Sequence, residues 1–493
     1  MRKHILIVLG LILLVIAAGV TYVAWPDTAE LSVDQVAGKL PKITDPRIQT
    51  IPTVKVAKVV GWQNGAMPTP AAGLKVQPFA TGLDHPRWMY RLPNGDVLVA
   101  ETNSPPREGG GITGWVMKVL MGRAGAGVPS ANRITLLRDA NGDGVAETKS
   151  VFMTGLNSPF GMTLLDGQLY IGNTDALVRV PYTDGATKIT AKPELVIKLN
   201  PGGNHWARNV IAAADGKTLY VGVGSSSNIA ENGMDAEKYR ANILQVWPKD
   251  KNWRIYAAGL RNPNGMAINP KSGGLWTVVN ERDMLGSDLA PDYLTQVEFG
   301  DHFGWPWYYW GGYPDSRVEP KNPALQQYAK RPDYALGPHV AALGLTFSAD
   351  AKLGDRFANG AFVGEHGSWN RKPVSGYKVV YVPFGDTGFP AANAKPTDVL
   401  GGFLNKDGDA QGRPVGVITD KTGGLLVADD VGNAIWRVSA GADLGGAGVG
   451  PARPALHARH PIPVIPAEAG THILMSFRRS RKLCPYGSPP ARE

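Results

Sequence analysis

The stretch Leu83–Glu101, LDHPRWMYRLPNGDVLVAE, decides how this chain folds. It holds two short apolar, strand-like runs with a Pro-Asn-Gly turn between them. The pattern returns as LNSPFGMTLLDGQLYIGN (156–173), GNHWARNVIAAADGKTLYVGV (203–223) and LRNPNGMAINPKSGGLWTVVNE (260–281). It returns twice more, as LGLTFSADAKLGDRFANGAFVGEH (343–366) and GRPVGVITDKTGGLLVAD (412–429). The turn glycines are Gly95, Gly167, Gly216, Gly273, Gly360 and Gly423. Strand pairs recurring every few tens of residues describe a radial array, so these six copies predict an all-β, six-bladed β-propeller. The 61 glycines and 39 prolines agree with many turns and short strands.

Outward from the repeats, residues 75–438 form the propeller domain and residues 27–74 read as a Pro- and Ala-dotted linker. Residues 439–493 alternate no faces and read as a disordered tail. At the other end, Arg2, Lys3 and His4 precede the apolar run ILIVLGLILLVIAAGVTYVAW. That run is long enough to span a bilayer, so residues 1–26 read as a transmembrane anchor, with a cleaved signal segment as the rival reading. The basic flank puts the body outside the cytoplasm, on the periplasmic side of the cytoplasmic membrane. The single cysteine, Cys484, allows no disulfide within one chain. Of the formal charge of +9, the two ends carry most, leaving only +3 for the body. A nucleic-acid surface is therefore not expected.

Five of the six copies place a polar residue ten to twelve positions before the turn glycine: His85, Asn157, His205, Arg261 and, in the last copy, Arg413. These positions open the first strand of each pair, the strand nearest the axis. Their side chains are expected to ring the mouth of the central channel. Like charges gathered there repel unless a partner offsets them. A flat, anionic ligand suits such a ring, because guanidinium forks bind carboxylates and stack on planar rings. The other reading is that these side chains tie blade to blade.

The motifs GGNHWARN, AAGLRNPNGMAINP, NERDMLGSD, FGDHFGWP, GEHGSWNRKPVSGYKVV and GRPVGV occur in this order. Together they resemble the sorbosone dehydrogenase family, which belongs with the soluble aldose dehydrogenases that depend on pyrroloquinoline quinone (PQQ). The resemblance implies His205 as general base with Arg208 beside it, and Arg261 and Asn262 on the quinone edge. It implies Trp369, Arg371 and Arg413 as further cofactor contacts. It also implies an activating calcium near the 281–288 loop, with Glu281, Asp283 and Asp288 as candidate ligands. That loop reads ERDMLGSD where relatives carry a Gly-Pro version, and Asn204 stands where glucose-type relatives have aspartate.

Independently, DANGDGVAE spaces Asp139, Asn141 and Asp143 at alternate positions before Gly144, like the first half of a calcium loop. Glu147 holds the ninth position, and Ser150 stands where a bidentate glutamate usually does. A structural calcium and an ion-free Asx-rich turn both fit. No G-x-G-x-x-G opens a helix after a strand, and no G-x-S-x-G elbow is present, which argues against nicotinamide and α/β-hydrolase chemistry.

Oxidising an alcohol or hemiacetal carbon needs a base for the proton and an acceptor for the hydride; histidine supplies the first and a cofactor the second. The expected function is therefore quinoprotein oxidation of a sugar, a sorbosone-like sugar aldehyde or an alcohol, with PQQ and calcium as cofactors. The absence of C-x-x-C-H means electrons leave through an external acceptor, a membrane quinone or a cytochrome. Two alternatives share the fold: a calcium-dependent lactonase with His205 activating water, and a carbohydrate- or protein-binding propeller.

Overall fold

The computed structural model describes residues 27–106 and 121–441, together with Ile12, Leu14, Val15 and Val119. The expected anchor lies outside the described residues apart from those three, as does the expected tail beyond Gly441. Among the described residues no helix is long and apolar enough to cross a membrane.

Six antiparallel sheets of at least four strands follow one another as blades. Blade 1 comprises Pro86–Arg91, Val97–Glu101, Arg133–Arg138 and Thr148–Met153. Blade 2 comprises Met162–Leu165, Gln168–Gly172, Ala176–Pro181 and Glu194–Lys198. Blade 3 comprises Val210–Ala212, Leu219–Val223, Asn242–Trp247 and Asn252–Ala258. Blade 4 comprises Pro263–Ile268, Leu275–Val279, Pro291–Val297 and Tyr334–Pro338. Blade 5 comprises Ala342–Phe347, Gly360–Glu365, Lys378–Pro383 and Thr397–Gly401, with Thr69–Pro70 added outside. Blade 6 takes Pro414–Thr419, Leu425–Asp429 and Ala434–Ala440 from the C-terminal side and its outermost strand, Leu74–Thr81, from the N-terminal side. That last pairing joins the two ends of the domain and closes the ring.

The first strand of each blade touches the first strand of the next, and the sixth touches the first. Backbones meet closely at these seams. A Cβ on Gly344 or Gly364 would fall 2.2 or 2.3 Å from the Val415 carbonyl oxygen, which is why blades 5 and 6 need glycine there. Second strands such as Val97–Glu101 and Leu275–Val279 are buried throughout, so they read as continuous apolar runs rather than alternating ones. Apolar clusters fill the gaps between blades, as where Phe362, Tyr381 and Phe403 meet Val417, Val427 and Trp436.

Five of the six turn glycines sit in the turns with positive φ. Gly360 does not: it opens a strand, where a Cβ would fall 2.3 Å from the Val382 carbonyl oxygen. Gly354, at φ 92°, takes the left-handed position in that longer connection.

All turn glycines lie on one face. The first strands begin, and the second strands end, on the other, here termed the mouth face. Of residues 27–74, read from sequence as a linker, residues 27–30 and 47–62 lie along that face as a strap, while Gly38 pairs with Ala335 on the outer strand of blade 4. Arg47 N donates to Leu285 O (2.9 Å), Lys55 N to Trp369 O (2.9 Å) and Val60 N to Ala410 O (2.8 Å).

Candidate functional site

Blades 5, 6 and 1 bring the densest group of titratable side chains to the mouth. Asp430, just past the second strand of blade 6, receives Arg87 Nη1 at 2.7 Å and lies 2.9 Å from His366 Nε2. His85 Nε2 stands 3.5 Å away. Burial alone would raise the Asp430 carboxyl, but His366, His85 and Arg87 outweigh it and hold the group far below the usual range. Burial, aided by Arg413, pushes His366 down to about 3, and burial also lowers His85. Both imidazoles are therefore neutral, and Arg87 is the cation that balances Asp430. Among the described residues, Asp430 Oδ1, His85 Nε2 and Arg87 Nε find no hydrogen-bond partner although buried. Arg87 also stacks over Trp206, 5.6 Å from the ring centroid, so it links this cluster to the loop bearing His205.

Arg413 donates to the carbonyls of His366 (3.0 Å), Gly367 (2.9 Å) and Ala124 (3.3 Å), and lies over the Tyr377 ring. It is both a mouth residue and a tie between blades 5 and 6.

His205 is half-buried ahead of the first strand of blade 3. Its Nδ1 lies 2.9 Å from Ser225 O and 3.0 Å from Ser225 Oγ. The Ser225 hydroxyl donates to Ser227 O at 2.7 Å, so both Ser225 oxygens act as acceptors toward the ring. In the neutral ring this puts the proton on Nδ1, the tautomer required of a base acting through Nε2. Arg208 and Arg240 fix the loop from beneath. Both donate to His205 O, at 2.9 and 2.8 Å, and both reach Asn200 O. Arg208, expected as a catalytic neighbour, is fully buried, and burial pushes it down to about 9. It positions the His205 loop and does not reach the mouth.

On blade 4, every N–H of Arg261 points at a protein acceptor: Asn228 O, Asn280 O, Glu281 O, Asn228 Oδ1 and Asp283 Oδ2. Asn262 donates to Asn280 Oδ1, while its own Oδ1 is buried without a partner among the described residues. Glu281, Asp283 and Asp288 do not converge. Glu281 pairs with Arg282 (2.9 Å), Asp283 bridges Arg261 (3.1 Å) and His339 (3.3 Å), and Asp288 accepts the amide of Glu30 (2.7 Å). Each carboxylate has a donor of its own on at least one oxygen, while Glu281 Oε1 and Asp288 Oδ1 are buried without a hydrogen-bond partner among the described residues. Trp369 is half-buried, and Arg371 turns its Nε to Ser287 O (3.0 Å), tying the two mouth loops together.

The one convergent carboxylate group among the described residues is Asp139, Asp143 and Glu147, whose oxygens lie within 4.8 Å of one another. It sits on the face opposite the mouth. Gln77 Nε2 reaches its Asp143 and Gly144 carbonyls at 3.0 Å, joining blade 1 to the closing strand of blade 6. Asn141 is exposed there and donates to Asp143 Oδ2 at 3.2 Å.

Sequence reading found the starts of the first strands and missed Arg87, Asp430, His366 and Arg240. Asp430 and His366 follow the ends of second strands in LLVADD and FVGEH. Those ends share the mouth face, so counting forward from the turn glycines as well as back would have found them.

Beside Glu365 Oε2, a buried oxygen with no partner among the described residues, lies a pH effect. Burial, partly opposed by Lys378, raises this carboxyl from 4.5 to about 8. The folded chain thus keeps a proton that the unfolded chain releases near its ordinary value. Stability from this group falls as pH climbs from about 4.5 to about 8, by at most on the order of 4 kcal/mol. Glu365→Gln is expected to unfold at a higher temperature than the parent at pH 8. The gap should close toward pH 5, as thermal unfolding across pH will measure.

Fold and site together define a six-bladed propeller with an arginine- and histidine-lined central mouth. The chain belongs to the family described as a domain of unknown function (DUF7133), whose model matches residues 76–369; a TrAA12-like model matches residues 312–441. An uncharacterized protein of Borreliella burgdorferi is 31% identical over 294 residues, covering 57% of this chain and 76% of the relative. A pyrroloquinoline quinone-dependent pyranose dehydrogenase of Coprinopsis cinerea is 25% identical over 358 residues, covering 64% of this chain and 44% of that enzyme. The chain thus spans less than half the length of that enzyme. The holo PQQ domain of pyranose dehydrogenase from Coprinopsis cinerea superposes with a TM-score of 0.60 at 20% identity, over 78% of this chain and 100% of that one. At that identity the likeness speaks for the fold.

Proposed function

We propose that this protein is a PQQ-dependent dehydrogenase that oxidises a sugar, a sorbosone-like sugar aldehyde or a related alcohol. The observation that carries the proposal is the orientation of His205, whose Nδ1 faces two Ser225 oxygens at 2.9 and 3.0 Å. A binding propeller has no need of an oriented imidazole. The mouth also suits a flat polycarboxylate. Arg87 and Arg413 outnumber Asp430, and the buried His85 Nε2, Arg87 Nε and Asn262 Oδ1 have unmet hydrogen-bonding capacity among the described residues. Arg413, Arg87 and Asn262 would hold the cofactor, with Trp369 at its edge. When bound, PQQ supplies the hydride acceptor that no side chain provides. His205 Nε2 takes the hydroxyl proton of the substrate, and Arg261 contributes positive charge near the mouth without a hydrogen bond to give.

Asp139, Asn141, Asp143 and Glu147 fit an oxygen-ligated calcium, which would brace the seam between blades 1 and 6 away from the chemistry. Residues 1–26 would anchor the domain at the periplasmic side of the membrane, where a membrane quinone or cytochrome would take the electrons.

The test is an absorbance titration of the purified protein with PQQ, with and without calcium, followed by dye reduction over an aldose panel. Saturable binding and quinone-dependent turnover are expected. Lactone hydrolysis without PQQ would point to a lactonase instead, and neither activity to a binding propeller.

A further inference from the structure

The strap gives the propeller an orientation. It begins on the mouth face: Asp27 receives the Ser287 amide and pairs with Arg47 at 2.9 Å, and Ala29 N donates to Lys372 O at 2.8 Å. After passing along the outer strand of blade 4 it returns there, with Gln49 N to Met284 O (3.1 Å), Asn370 Nδ2 to Thr53 O (2.8 Å) and Trp62 Nε1 to Asp429 (2.7 Å). Its inner side is thus fixed to the loops of blades 4, 5 and 6 that rim the mouth.

Its outer side is apolar for a surface segment. Ile48, Ile51 and Val54 are 52%, 54% and 40% exposed within seven residues of chain. Lys55 and Lys58 stand out beside the patch. Apolar side chains flanked by lysines are what a headgroup layer accommodates, the lysine stems lying along apolar surface with the amines at phosphate level. Turns on the opposite face expose Asp166, Asp184, Asp215 and Lys217 instead.

The sequence says which surface is near. An uncharged apolar run, Ile5–Trp25, ends two residues before Asp27. Two residues of chain reach at most about 7 Å, so the rim of the mouth cannot leave the end of that run.

We propose that the mouth face rests on the bilayer that holds residues 5–25, with Ile48, Ile51 and Val54 in the lipid interface and Lys55 and Lys58 at the headgroups. This rests on reading the run as a retained anchor. The site then opens toward the membrane rather than the aqueous phase, and a lipid-dissolved electron acceptor meets it directly.

The test uses the full chain in vesicles containing nitroxide-labelled lipid. Cys484, the only cysteine, is replaced by serine, and a fluorophore is placed through Ile51→Cys or, separately, Lys217→Cys. Mass spectrometry of the same sample reads whether residues 1–26 remain. Quenching about threefold or more stronger at position 51 than at 217 is expected, on a chain that keeps its run. Equal quenching, stronger quenching at 217, or a cleaved chain that leaves the vesicles overturns the proposal. No quinone or substrate enters the measurement, so its outcome is independent of whether the dehydrogenase reading survives.

Discussion

Replacing His205 with alanine is expected to cut quinone-dependent turnover by about 10²–10⁴-fold, the usual contribution of a general base. That corresponds to roughly 3–5 kcal/mol of transition-state stabilisation. PQQ affinity should barely move. The ring is held through Nδ1 by Ser225 at 2.9 Å, while the arginines proposed to hold the cofactor, Arg87 and Arg413, belong to blades 1 and 6. Arg413→Ala should do the reverse, weakening PQQ binding first, because its guanidinium is a charge rather than a base. Paired measurements of steady-state dye reduction and absorbance titration separate the two. If His205→Ala kept full turnover, the base would have to be another group.

The pairing of those variants follows from what the mouth residues already do. Sequence offered two readings of the ring, a ligand site or ties between blades, and the structure shows the ties. Arg413 bonds the carbonyls of blade 5 while facing Tyr377. Arg261 is the extreme case, with all its N–H groups on protein acceptors. A buried guanidinium cannot wait unpaired for a ligand, since the desolvation cost is large. A ligand at such a site gains from its charge and from the groups still unmet, such as Asn262 Oδ1 and His85 Nε2.

The blades were legible because each is local: two strands and a turn lie within about twenty residues, and glycine marks the turn by a backbone rule. The closing strand Leu74–Thr81 was not, because its partner Ala434–Ala440 lies at the other end of the domain and nothing local names it. Gly360 misled for the same reason. Its glycine answers to the Val382 carbonyl across the sheet, not to a turn. At the site, strand starts were readable by counting. The acids of the 281–288 loop were not readable as a cluster. Nearness in sequence says nothing about whether carboxylates converge, and Arg282, Arg261 and His339 draw them apart.

Arg240 was missed entirely, and its replacement should have the second large effect. It lies within a connection that carries no repeat, so no pattern points to it. In the fold it is buried and donates to six carbonyl oxygens: Asn200, Pro201, Gly202, His205, Gly224 and Ser225. These carbonyls come from the two segments that hold His205 and its Ser225 partner. Arg240→Met removes every donor at once. Each buried acceptor left unmet costs about 1–3 kcal/mol, and even if water reaches most of them the loss should be roughly 3 kcal/mol. Urea unfolding measures it. Arg240→Lys keeps the charge but offers one ammonium to acceptors arranged for a fork, so it should recover only part of the stability. Turnover is the sharper readout. Loss of the fork lets Ser225 and His205 separate, and the proton on Nδ1 loses its fixed acceptor. Under conditions where the lysine variant is fully folded, its turnover should still fall at least about tenfold with PQQ affinity unchanged, because a misplaced base slows proton transfer without touching the cofactor's arginines. Stability lost with turnover intact would mean that the Arg240 fork supports the fold alone and that His205 is oriented by something else.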